Sequence, residues 1–151
     1  MPRIGVAAET EKGFEEFEWY GRGPWENYID RNRSAQIGKY ESSVTENHVD
    51  TYIIPQENGN HTGTRRMELK SKDTAIRITS DVPFEFGVSH YTVKDLFEAY
   101  HQTELKERSE TIITLDLAQR GLGTGSCGPQ TLTKYELSAK AYRFAFSLEL
   151  L

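Results

Sequence analysis

The densest chemistry in the chain lies in "WYGRGPWENYIDR" at 19–31, where Trp25, Glu26, Asn27, Tyr28, Asp30 and Arg31 follow two glycines and a proline. Aromatic rings stack on the apolar faces of sugars, and Asn, Glu, Asp and Arg hydrogen-bond hydroxyls, so this stretch suits a sugar-binding edge. It equally suits a corner in which Asn27, Asp30 and Arg31 satisfy buried backbone groups. The structural role is the stronger expectation.

The 23 Asp and Glu residues offer many candidate acid and nucleophile pairs. Glycoside hydrolysis needs two carboxylates roughly 5–10 Å apart across a sugar. Most of the acids alternate with apolar residues, as Glu16, Glu18, Glu68 and Glu149 do, which predicts solvated strand faces. His48, His61, His90 and His101 lack the close spacing of a helical metal site. Cys127 alone builds neither a thiolate cluster nor an internal disulfide, and no neighbour activates it as a nucleophile. No Gly-x-Ser-x-Gly elbow occurs. His61 near Glu57 is the nearest suggestion of the acid–base pair that a sugar epimerase requires.

The elements that must position these groups read as strands. Tyr142, Phe144, Phe146, Leu148 and Leu150 alternate along "YRFAFSLELL", and Phe84, Phe86 and Val88 along "PFEFGVSHY". Met67 and Leu69, Ile76 and Ile78, and Ile113, Leu115 and Leu117 repeat the pattern. A period of two marks strands with one buried face, so antiparallel strands are predicted at 66–70, 76–80, 84–90, 111–117 and 142–150, in stacked sheets. One helix is predicted at 93–100, capped by Thr92 and Asp95, with Val93, Leu96, Phe97 and Tyr100 on its apolar face. Turns are predicted at 58–63 and in the glycine-rich loop "RGLGTGSCGP" at 120–129. No repeat or linker divides the chain, which reads as a single domain over 1–151.

With 151 residues the chain is long enough for one hydrophobic core. A net charge of −5 argues against a nucleic-acid partner, which needs clustered Lys and Arg. No apolar run approaches a membrane span, and no basic region followed by an apolar stretch marks a signal peptide. The sequons at Asn32 and Asn60 read as chance occurrences.

Several collinear motifs then carry a family likeness. "PRIG" at 2–5, "WYGRGPWENYIDR" at 19–31, "YIIPQENGNHTGTRRMEL" at 52–69, "FGVSHYTVKDLFEAYHQTEL" at 86–105, "GLGTGSCGP" at 121–129 and the closing "YELSAKAYRFAFSL" come in order. Together they resemble the C-terminal, small-chain domain of large bacterial β-galactosidases of glycoside hydrolase family 2. The resemblance implies an all-β, antiparallel supersandwich similar to galactose mutarotase. It also implies that the catalytic glutamates sit in a separate (β/α)₈ barrel, for which this chain has no room.

The family domain is longer on its N-terminal side, so the resemblance implies an excised fragment or small subunit, with no catalytic residue of its own. Its expected partners are the remainder of the polypeptide and a β-galactoside, within a homo-oligomer of the parent enzyme in a bacterial cytoplasm or periplasm. No cofactor is implied in this stretch, and Mg²⁺ or Na⁺ belongs to the parent. In the family the glycine-rich loop reaches the active-site mouth and carries a tryptophan that stacks on sugar. The matching position here is Cys127, which has no ring face. The expected substrate contacts are therefore Ser126, Cys127 and Gly128 on the loop, with Trp25 beside them. The alternatives are an independent carbohydrate-binding module using Trp25 or Tyr28, and a mutarotase-like epimerase. Four glycines also predict a mobile loop where the barrel is missing.

Overall fold

A computed structural model describes residues 1–11, 13–123 and 128–151. Among them the fold is all-β. Strands β1 (Arg3–Glu9), β2 (Glu16–Gly23), β3 (Gln36–Ser43), β4 (His61–Lys70), β5 (Ala75–Ser89), β6 (Ile112–Gln119) and β7 (Ser147–Leu150) all pair antiparallel. They join in one sheet of order β1-β6-β5-β4-β2-β3, with β7 added to β5. Helix α1 (Val93–Glu98) carries the predicted capping box from Thr92 and Asp95.

The expected all-β antiparallel sandwich is met, with its strands joined in one sheet that folds over on itself. The predicted strands 76–80 and 84–90 are the two ends of the single 15-residue strand β5. Its first end pairs with β4 and β7, and its second with β4 and β6. Between them the β4–β5 register shifts twice, between His61 and Thr64 and between Thr64 and Arg66. Gly63 sits in this irregularity at φ +65°, a left-handed conformation that glycine adopts at little cost. The predicted turn at 58–63 is correspondingly shorter, because His61 already belongs to β4.

Such bulges bend a strand pair, and here the bend brings the two halves of the sheet face to face. Phe17 and Trp19 of β2 meet Phe86 of β5 at ring-centroid distances of 5.9 and 6.0 Å. His61 stacks on Phe86 at 5.1 Å and lies 4.3 Å from Trp19. Phe14, Val44, Met67, Leu69, Ile78, Phe84, Val88, Ile113 and Leu115 complete the core.

Two expectations about apolar faces are corrected. The predicted strand at 142–150 is regular only over Ser147–Leu150, and every residue of β7 is exposed. Phe144 packs on the core from one side, but Phe146 is 37% exposed, so this segment borders the core without filling it. On α1 only Leu96 is buried, while Val93 and Phe97 face solvent, as does Tyr100 just past the helix, so a six-residue helix buries one side chain rather than a whole face. Glu68 is corrected in the other direction. It is buried, and its carboxylate accepts from Arg77 at 2.7 Å, so it is no solvated strand residue.

Replacing Phe86 by Ala should cost about 3–5 kcal/mol in denaturant titrations, the range for a fully buried Phe. Leu148→Ala should cost less than about 1 kcal/mol, because its side chain is open to water. A larger loss at Leu148 than at Phe86 would contradict this placement of the core.

Candidate functional site

Side chains alternate across a strand, so the residues beside the core face of β5 and β6 point the other way. Phe86 pairs with Leu115 on the core side, and Glu85 pairs with Asp116 on the reverse side. Two carboxylates placed directly opposite repel each other. The fold answers with donors. Asp116 takes the guanidinium of Arg3 on both oxygens and the amide of Gln119 at 3.1 Å. The second arm of Arg3 pairs with Glu57 at 2.9 Å.

Asn60 joins this network to the corner at 24–31. Its amide nitrogen donates to Glu85 and to the Asn27 carbonyl, both at 3.0 Å, and its oxygen accepts from Gln119 at 2.8 Å. All three of these bonds are buried, and each fixes a different element. Asn27 continues the line, accepting from the Thr62 backbone at 3.0 Å and hydroxyl at 2.6 Å and donating to the carbonyls of Arg22 and Trp25. A buried Asn60 engaged in this way is also inaccessible to glycosylation, so its sequon is a coincidence.

The corner also holds the glycine-rich loop. Asp30 accepts from the backbone N–H of Leu122 at 3.1 Å and of Gly123 at 2.9 Å. Gly123 sits at φ +63°, and a Cβ there would lie 2.5 Å from the Thr131 nitrogen, so the close approach requires glycine. Thr131 donates its hydroxyl to the Gly121 carbonyl, and Gly121 N–H bonds the Tyr135 carbonyl at 3.1 Å. The first stem is thereby pinned to the corner, and the second stem to the first. Beside them a groove of about 400 Å³ opens, lined by Arg22, Ile29, Glu85, Gln119, Lys134 and Tyr135 among others.

The expected structural role of the corner is met by Asn27 and Asp30. Arg31 differs: it serves side chains rather than backbone, bonding Glu26 and, at 3.0 Å, Tyr52. Glu26 in turn accepts from Gly59 N–H at 2.8 Å. Of the expected substrate contacts, Trp25 is 79% exposed at the corner and Gly128 is exposed on the loop. Ser126 and Cys127, and with them the mobility expected of the loop, lie outside the described residues. Tyr28 is corrected: it is buried and cannot present a ring to a ligand. Asp30 and Glu85 were missed as site residues. The partners of Asp30 lie more than ninety residues along the chain, and Glu85 reads as one polar position in an alternating strand.

The epimerase pairing fails on geometry. His61 lies on the core face, its Nε2 bonded to Asn47 at 2.9 Å and its pKa pushed down by burial to about 3. Glu57 is committed to Arg3, and Glu85 points to the opposite face. Glu85 and Asp116 do not form a hydrolytic pair either, because Asp116 is sealed beneath Arg3 and both Glu85 oxygens already accept hydrogen bonds. Among the described residues no three His, Cys, Asp or Glu side chains converge as a metal cluster. No helix among them is long and apolar enough to cross a membrane.

Fold and site thus define an antiparallel β-domain with a glycine-rich loop rooted on a bonded corner and the facing acids Glu85 and Asp116 buried. A model of the β-galactosidase small chain matches residues 1–148, and the chain belongs to that family. It is 34% identical to a β-galactosidase of Staphylococcus xylosus over 99% of its length, and 34% identical to one of Actinobacillus pleuropneumoniae over 98%. A β-galactosidase of Kluyveromyces lactis is 37% identical over 98% of it. The chain spans only 14–15% of the length of these relatives.

Two outcomes follow for the site. Asp30→Ala should lower stability by about 1.5–3 kcal/mol, the range for hydrogen bonds to a charged acceptor. It should speed amide exchange at Gly123 while leaving Thr64 in the core unchanged; equal acceleration at both would mean that Asp30 supports the whole fold rather than the loop.

The second concerns pH. Burial raises the Glu85 pKa from 4.5 to about 7. The folded state therefore holds a proton that the unfolded state releases, and Glu85 becomes increasingly destabilising as the pH rises from 4.5 to 7. His61 has the opposite slope, since its stabilising neutral form is lost as the pH falls from 6.5 toward 3. Wild-type curves mix the two, so the difference between Glu85→Gln and wild type isolates Glu85. That difference should shift in favour of the variant by about 1–3 kcal/mol between pH 4.5 and 7 in urea titrations. A pH-independent difference would refute the assignment.

Proposed function

We propose that the chain is the non-catalytic small-chain domain of a β-galactosidase, and that hydrolysis of terminal β-D-galactosides is carried out elsewhere in a longer polypeptide. Its partners are the remainder of that polypeptide and the galactoside, within a homo-oligomer of the whole enzyme. The observation that carries this reading is the double hydrogen bond from Leu122 and Gly123 to Asp30, which fixes the root of the 121–129 loop on a rigid corner. A glycine-rich loop held at its base suits a lip over a neighbouring substrate mouth. The family match supports it, since the chain aligns along its own length with a small part of each relative. In this role Ser126, Cys127 and Gly128 border the sugar, together with Trp25 at the corner.

The 151-residue chain, rigorously purified, should not hydrolyse a chromogenic β-galactoside, whereas the product of a longer reading frame should. Turnover by the short chain that disappears on mutating one of its own acids would refute the proposal. In the longer product Cys127→Trp adds a ring face at the loop. Aromatic contacts contribute about 0.5–1.5 kcal/mol beyond burial, so binding of an aglycone-site ligand should strengthen roughly two- to twelve-fold. Unchanged affinity together with a large fall in melting temperature would place Cys127 in packed structure instead.

A further inference from the structure

The last strand leaves the core unfinished. Leu148 pairs with Ile78, and Leu150 with Ile76. Directly opposed residues of an antiparallel pair share a face, so both leucines lie on the core side of the sheet. Ile78 is fully buried, yet Leu148 and Leu150, one strand further out, are 59% and 73% exposed. The apolar face therefore runs past the covered core to the sheet's edge.

The backbone is open along the same line. Ala75 and Leu151 exchange both hydrogen bonds, at 3.1 and 2.8 Å, which sets the phase of the ladder. Alternation then makes Arg77–Glu149 and Thr79–Ser147 the bonded pairs and turns the N–H and C=O of Leu148 and Leu150 outward. Among the described residues β7 pairs with β5 alone. An apolar edge of this kind is a template for strand addition, and proteins ordinarily blunt such edges with charge. The β3 edge follows that rule through Lys39 and Glu41. On β7 the one charged residue, Glu149, points to the other face, where Arg77 meets it.

We infer that β7 is an internal strand of the assembled protein, and that an extended apolar segment from the remainder of the β-galactosidase polypeptide pairs with its outer edge and covers Leu148 and Leu150. The inference rests on the proposed function, and the occupant is chosen because the matched relatives are about seven times longer than this chain.

Amide hydrogen exchange, resolved residue by residue, tests it in the 151-residue chain and in the product of the full reading frame. In the short chain the amides of Ser147 and Glu149 should be protected by β5, while those of Leu148 and Leu150 exchange freely. In the long product Leu148 and Leu150 should gain protection of at least about 100-fold, as for amides of a stable ladder. Free exchange there would overturn the inference and leave the proposed function standing. Protection in the short chain that rises with its concentration would overturn it in favour of a second copy paired through β7. A reading frame that encodes nothing further would remove the occupant, and would fail the proposed function along with it. Leu148→Lys gives a second readout: stability of the short chain should hardly change, whereas the long product should lose melting temperature. Equal effects on both would also overturn the inference.

Discussion

The bend in the β4–β5 pair is the constraint on which the rest of the molecule depends. Two register shifts around Gly63 turn one continuous sheet back on itself, and only then can rings from β2 reach rings from β5. The same few residues face both ways. His61 and Phe86 enter the aromatic core, while their neighbours Asn60 and Glu85 turn outward and take hold of the corner. Core and display surface are thus two sides of one strand pair. A change that straightened the bend would dissolve the core and release the corner together.

Behind the core, a polar chain runs from Arg3 through Asp116, Gln119 and Asn60 to Asn27 and Thr62. Buried polar groups are costly unless satisfied, and a satisfied network specifies geometry in a way that apolar packing does not. The network therefore sets where the corner sits, and through Asp30 the corner sets where the loop begins. Burial raises the pKa of Glu85 within it, but both oxygens of that carboxylate are engaged in holding Asn60 and Gln119. A perturbed carboxylate here reflects architecture, not catalysis.

Much of the sheet was legible in the sequence, and the gaps have physical causes. Where one face is buried and the other wet, as at Met67 and Leu69 or Phe84, Phe86 and Val88, a period of two appears. Strands β1 and β3 lie at edges, bury little, and show no such alternation in "RIGVAAE" and "QIGKYESS". The alternation at 142–150 promised a core strand, and what it marks is a face left uncovered at β7. Asn27 and Asp30 were rightly placed in a bonded corner. Their partners, at Thr62 and at Leu122 and Gly123, are distant in sequence, so no local pattern could have revealed that the corner anchors the loop. The family itself was legible only through the order and wording of several motifs together.

In the proposed role, the bonded corner presents the 121–129 loop to a sugar site supplied by the rest of a longer enzyme. A crystal structure of the full-length product with a bound galactoside tests it most directly. The account predicts that the loop contacts the leaving-group side of the sugar, with Asp30 still accepting from the Gly123 amide. A galactoside bound far from this loop, with 121–129 facing solvent, would contradict it.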